Sequence, residues 1–316
     1  MDIFKLIENT MTSDDKNLIS DISNYPVDNL INEISNLSEE NLNLVFSSEK
    51  LIKDIELNKK GLHIFRCLFS ERVADSRRKV LGYNKHKHHQ SFLEDGIIVI
   101  ENFMDSNNWN LIKEQANSKI NIGQPYHLNL SAHQTFQDLI KLTTSLPMDY
   151  PSLGTEHLIH IDNDRQFVPE FLHSDIFQTS IKIWYYLEDV SLEKGPFSYV
   201  YKSHRKNKNM LEWWYKMSCI ACDENHPDFE KYIYRDGSDK NIWDFSPCLK
   251  SGATEEEINI ELEKLNLPNI TRLDRKQNTL IIADTSGFHG RGKAKAGMTR
   301  FSLRGGIREN PFLYFN

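Results

Sequence analysis

Apolar positions along this chain keep two different periods. After Pro26, Leu30, Ile31, Ile34 and Leu37 recur at helical spacing, and Leu62, Phe65, Leu68, Phe69 and Val73 do so again before a charged end. Pro26 suits a first helical turn, whose N–H groups lack intrahelical partners anyway. Residues 1–90 are therefore expected to be mainly helical, an extension packed on the core of the protein. The period then shortens. Gly96 to Phe103, GIIVIENF, is brief, β-branched and bounded by turn residues, which predicts a buried strand. Asp105 or Ser106 is placed to cap a helix carrying Trp109, Ile112 and Ala116. Further strands are predicted at His157 to Ile161, Ile181 to Leu187, Thr279 to Ala283 and Arg300 to Ile307. In the second of these, Ile181, Ile183, Tyr185 and Leu187 share one face, and Lys182, Trp184 and Tyr186 the other. Two substantial faces place that strand in the middle of a sheet. Residues 206–275 interrupt the strands as a helical insertion. Its helices are expected near Met210 to Cys222 and Glu255 to Leu265, the latter opened by a Thr254–Glu257 capping box.

A chain of 316 residues can bury a sizeable core. The pattern divides it into the extension at 1–90 and one catalytic domain at 91–316. Charged residues are 26% and hydrophobic ones 39%, as in ordinary soluble globules. The net charge of −7 opposes a broad phosphate-binding face, so nucleic acid is not the expected partner. No apolar run approaches the roughly 18 residues of a membrane span, and MDIFKLIENTMTSDD lacks the apolar stretch of a secretory signal. A cytoplasmic protein without a membrane partner is expected. Four cysteines make no disulfide framework. Cys219 and Cys222 form a single C-x-x-C, read as reduced thiols on a helix. His86, His88 and His89 cluster without a convincing fourth ligand.

The chemistry concentrates in FLHSDIFQTSIKIWYYLEDV. Residues two apart on a strand point the same way, so His173 and Asp175 aim an imidazole and a carboxylate into one space. Two His and one carboxylate on one side of a metal form the facial triad of non-haem Fe(II) sites. His289, in LIIADTSGFHGRG, is the candidate third ligand. His160 and Asp162 form a second His-x-Asp pair that spacing alone does not separate from the first. Arg300, Ser302 and Arg304 share a strand face, and an Arg fork binds a carboxylate through two charge-assisted hydrogen bonds.

The order His173-Ser174-Asp175, Lys182 to Val190, Gly195-Pro196-Phe197 and Ser203-His204-Arg205, followed by Asp284 to Gly292 and Arg300, resembles the phytanoyl-CoA dioxygenase-like family of Fe(II)/2-oxoglutarate oxygenases. The resemblance covers roughly residues 93–310. It implies an α+β chain built on a double-stranded β-helix, a cupin-like jelly roll, with N-terminal and inserted helices. It also implies Fe(II) on His173, Asp175 and His289, with 2-oxoglutarate and O2 as cosubstrates, and it selects this pair over His160 and Asp162. Arg300, with Ser302, would hold the distal carboxylate of 2-oxoglutarate. Lys182 and Arg291 stand where they can reach cosubstrate or substrate, Lys182 being equally readable as a solvated lysine on an outer face, and Arg304 is open between support of the same pocket, an acidic substrate and a structural ion pair. His204 organises a turn; Trp213, Trp214 and Trp243 anchor the insertion or line a pocket. The implied reaction hydroxylates an unactivated C–H bond of a small metabolite, giving succinate and carbon dioxide. The carboxylate of Asp175 argues against halogenation. An acyl-CoA substrate, a desaturation, cyclisation or epimerisation outcome, a non-redox cupin-like metal enzyme and a non-catalytic metabolite-binding barrel remain alternatives.

Overall fold

A computed structural model describes residues 2–118, 129–147, 151, 153–159, 172–234 and 246–314. Its strands are β1 (Ile97–Ile100), β2 (Leu153–Ile159), β3 (Ile181–Tyr186), β4 (Phe197–Tyr199), β5 (Ile233–Tyr234), β6 (Ser246–Pro247), β7 (Thr271–Arg272), β8 (Leu280–Asp284), β9 (His289–Arg291) and β10 (Thr299–Ile307). Five of them form an antiparallel sheet in the order β1-β8-β3-β10-β2. Strand β3 is its centre, as its two apolar faces require. On one face Ile181, Ile183, Tyr185 and Leu187 pack with Leu280, Ile282 and Leu303, and with Phe92, Ile112, Phe136 and Leu139 from covering helices. On the other, Trp184 and Tyr186 meet Ile281 and Ala283 of β8 and Phe197 and Tyr199 of β4.

Strand β4 belongs to a smaller antiparallel sheet, β7-β4-β9. The Trp184 and Phe197 rings stack at 3.9 Å, so the two sheets face each other across a shared aromatic core. Two facing antiparallel sheets of this kind, wrapped by helices, make an α+β double-stranded β-helix, a jelly-roll fold. The β5–β6 ribbon inside the insertion was not expected from the sequence. Two-residue strands carry too little pattern to be read.

The helical segments also follow the sequence closely. Pro26 is the N-cap of helix Val27–Ser35, one position before the first turn, and Leu62–Val80 forms a long helix. The insertion helices are Lys208–Ala221 and Glu255–Lys264, and Thr254 and Glu257 close the expected capping box. Strand β1 stops at Ile100, and Asn102 turns the chain at φ +51°. Strand β2 begins at Leu153, ahead of the expected His157, because β10 pairs with it as far as Gly305↔Leu153.

A third core joins the N-terminal helices to the barrel. Leu30, Ile34, Phe65, Leu68 and Phe69 pack in one cluster with Leu172, Phe177, Trp214, Phe288 and Phe312. Arg66 is fully buried within it, donating to the carbonyls of Val45 and Glu49 at 2.8 Å while its guanidinium lies 4.3 Å from the Phe177 ring centre. Among the described residues no helix is long and apolar enough to cross a membrane.

Candidate metal centre

Backbone pairing assembles the centre from segments remote in sequence. His173 and His289 are directly opposed, each N–H donating to the other's carbonyl at 3.0 Å. Opposed residues of an antiparallel pair project to the same side, so the two imidazoles share one space, their ring centres 4.4 Å apart. The Asp175 N–H donates to the Thr285 carbonyl at 2.9 Å and the Ser174 hydroxyl to that of Ser286 at 2.9 Å, which fixes the His-Ser-Asp segment against the loop before β9.

One ligand atom from each of His173, Asp175 and His289 lies within 4.8 Å of the others. Asp175 Oδ1 is 3.7 Å from His173 Nε2 and 3.6 Å from His289 Nε2. His289 Nδ1 sits 3.0 Å from the Gly287 carbonyl, which only accepts, so Nδ1 carries the proton and Nε2 presents its lone pair. Burial drives the His289 imidazole well below its ordinary pKa despite the pull of Asp175, which keeps the ring neutral and able to ligate. Burial acts to raise the Asp175 pKa, yet His289, Lys182 and His173 together hold it well below the usual carboxylate range.

Lys182 projects into the same space from the inner face of β3. Its Nζ lies 2.6 Å from Asp175 Oδ2 and 3.2 Å from His289 Nε2. Burial lowers the ammonium pKa against the effect of Asp175. A cation is thus already drawn to the point where the imidazoles and the carboxylate converge. Arg308 reaches the same carboxylate at 4.0 Å from the rim.

Arg300 and Ser302, both buried, lie farther along β10. Arg300 Nη1 donates to the Gly195 carbonyl at 2.5 Å, two residues before Phe197, whose ring stands 6.0 Å from that of His289. Arg300 Nη2 and Ser302 Oγ both reach Glu156 Oε2, at 3.2 and 3.3 Å, and Arg304 Nη1 reaches Glu156 Oε1 at 3.1 Å. The Arg300 Nε is buried without a hydrogen-bond partner.

Of the residues singled out from the sequence, His173, Asp175, His289 and Lys182 are brought together, and Arg300, Ser302 and Arg304 gather around Glu156. Arg291 lines a cavity of about 220 Å³ with Leu172, Ile258 and Ile270, whose described lining leaves out the triad. His204 is buried against Phe92 and packs beneath Gly96. Trp213 and Trp214 pack in the helical core, Trp213 edge-on to Phe288. The four cysteines are free. The rival pair His160 and Asp162, and Trp243, lie outside the described residues. Sequence reasoning missed Glu156 and Arg308. The even-numbered face of β10 offered a signal for Arg308, whereas nothing local marked Glu156.

The model of the phytanoyl-CoA dioxygenase (PhyH) family matches residues 75–218, a stretch that contains His173 and Asp175 and ends before His289 and Arg300. Over that stretch the chain is similar to the phytanoyl-CoA dioxygenase family, and the match together with the triad supports an Fe(II)/2-oxoglutarate-dependent oxygenase. No curated protein matches the chain in sequence. Similar solved structures include apo EctD from S. alaskensis, 13% identical, covering 73% of this chain and 82% of that one with a TM-score of 0.45. The epimerase SnoN in complex with Fe3+, alpha ketoglutarate and nogalamycin RO is 13% identical over 76% and 83%, with a TM-score of 0.37. HygX from Streptomyces hygroscopicus with nickel and 2-oxoglutarate bound is 15% identical over 70% and 85%, with a TM-score of 0.33.

Proposed function

We propose that this phytanoyl-CoA dioxygenase-like protein is an Fe(II)- and 2-oxoglutarate-dependent dioxygenase that hydroxylates an unactivated C–H bond of a small metabolite. The observation that carries the reading is the convergence of His173, Asp175 and His289 from two distant segments onto one buried point. The donor set fits the metal: two imidazoles and a carboxylate, with His289 Nε2 freed by the Gly287 contact and a positive charge already attracted there. Arg300 fits a carboxylate-bearing cosubstrate, because it is a buried guanidinium with one N–H still unmatched.

In this reading His173, Asp175 and His289 would hold Fe(II). When bound, Fe(II) with 2-oxoglutarate and O2 supplies the oxidising chemistry, yielding succinate and carbon dioxide as coproducts. The chain's own work is placement and exclusion of water. Arg300 and Ser302 orient the distal carboxylate, while the buried rings of Trp184, Tyr186 and Phe197 wall the space beside the triad. Arg291 and Lys182 are assigned to contacts with cosubstrate or substrate, Lys182 from within the centre and Arg291 from β9. An aerobic screen of succinate release with Fe(II), 2-oxoglutarate and a metabolite library tests the proposal. Substrate-stimulated succinate should appear and vanish in His173→Ala; stimulated release that survives that substitution would refute the site. Turnover of a metabolite with Zn(II) in the absence of oxygen would instead favour a non-redox enzyme.

A further inference from the structure

We propose that Glu156 is an internal competitor for the cosubstrate pocket, a carboxylate that rests on Arg300 and Ser302 until the distal carboxylate of 2-oxoglutarate displaces it. The inference rests on the cosubstrate reading above and concerns how that pocket is filled.

Register creates the arrangement. Glu156 of β2 is paired directly with Ser302 of β10, so both side chains occupy one face, beside Arg300 and Arg304. Glu156 therefore places an anion where the sequence leads one to expect an open cradle. Its hold on Arg300 is incomplete. A single oxygen, Oε2, is shared between Arg300 Nη2 at 3.2 Å and Ser302 Oγ at 3.3 Å, where good charge-assisted contacts run to roughly 2.7–2.9 Å from an N–H and roughly 2.5–2.7 Å from an O–H donor. The neighbouring donor on the same guanidinium edge, Nε, is buried and has no partner. A carboxylate laid along that edge would make two bonds where Glu156 makes one.

Two carboxylates cannot share that buried edge without repelling each other. Glu156 has a second host, however. Its Oε1 already accepts from Arg304 at 3.1 Å, and the Arg304 side chain is 48% exposed, against 4% for Arg300. Rotation towards Arg304 keeps Glu156 paired while releasing Arg300 to the incoming anion. The charge of Arg300 is thus compensated both before and after binding, and cosubstrate affinity is set by an exchange of carboxylates. Glu156 weakens 2-oxoglutarate binding, and Arg304 strengthens it by receiving the displaced group.

The test is the dissociation constant of 2-oxoglutarate for the Mn(II)-loaded protein, measured by anaerobic titration calorimetry. Glu156→Gln should tighten binding about tenfold, as expected when the competing carboxylate becomes a neutral amide whose hydrogen bond to Arg300 is weaker by about half. Arg304→Gln should weaken it, and should have no effect in the Glu156→Gln background. A Glu156→Gln protein that binds 2-oxoglutarate as weakly as the wild type, or more weakly, would overturn the proposal and make Glu156 a positioning partner of Arg300. If circular dichroism shows that Glu156→Gln does not fold, Glu156→Asp, which draws the carboxylate back from Arg300, should tighten binding instead. Failure of both wild type and Glu156 variants to bind 2-oxoglutarate would sink the cosubstrate reading itself, a result distinct from unaltered binding.

Discussion

At the scale of single residues the centre is a problem of charge. Asp175 is buried beside two imidazoles and is paired with the ammonium of Lys182 at 2.6 Å. Breaking a buried pair from one side is costly, and partial exposure of Lys182 reduces the penalty to about 2 kcal/mol. Metal-free Lys182→Met should therefore unfold at a lower temperature than the wild type in scanning calorimetry, and Mn(II) should restore most of the loss. Equal metal-free stability would show that Lys182 does not carry the balancing charge. His289→Ala removes a proposed ligand without removing the backbone bridge to His173, and should lower Mn(II) affinity by at least about 100-fold in equilibrium dialysis, the upper end of what loss of a mere outer-shell partner costs. His204 poses a separate charge problem. Burial lowers its pKa to about 4, whereas in the unfolded chain it titrates near its ordinary value of about 6.5. The folded value is the lower one, so unfolding takes up a proton between these limits. Stability attributable to a neutral His204 is complete above about pH 6.5 and is lost as pH falls towards 4. Urea midpoints of wild type and His204→Gln at pH 7 and pH 5 should show the wild type losing more on acidification.

At the scale of elements, one glycine decides whether the large sheet can begin. Gly96 ends helix His89–Asp95 at φ +76° and leads into β1. A Cβ there would lie 2.3 Å from Tyr199 Oη and 2.4 Å from His204 Nδ1, both in buried, packed side chains. Gly96→Ala combines backbone strain with overpacking and should cost about 3 kcal/mol or more, read as a lowered urea midpoint. Elements of this kind were largely legible beforehand. Both faces of Ile181–Leu187 announced a central strand, and Thr254 with Glu257 announced a helix start, because those signals are local. The His173–Asp175 pair was legible as chemistry but not as a choice over His160–Asp162, since strand spacing is identical in both. Its union with His289 depends on pairing between segments far apart in the chain. Glu156 was invisible for the same reason. Its meaning comes from the β2–β10 register, and a slip of one residue would turn it to the opposite face.

At the scale of the whole molecule, the N-terminal helices and the metal centre share a core. Each triad residue has a close chain neighbour in the helical cluster: Leu172 before His173, Phe177 two positions after Asp175, and Phe288 before His289. His63, from helix Leu62–Val80, lies between the Phe177 and Trp214 rings at 5.2 and 5.4 Å. The helices at 1–90 are therefore proposed to brace the ligand-bearing segments and to unfold with them. Phe69 gives a test, because it stacks with Phe65 and Phe312 and touches no ligand-bearing segment through those rings. Phe69→Ala should cost about 3–5 kcal/mol through lost burial and a residual cavity. Mn(II) binding, in contrast, stabilises only the unit that contains the triad. If extension and barrel are one cooperative unit, calorimetry will show a single transition that Phe69→Ala lowers and Mn(II) raises. Two transitions, one sensitive to Phe69 and the other to Mn(II), would show that the helices fold apart from the centre and do not brace it.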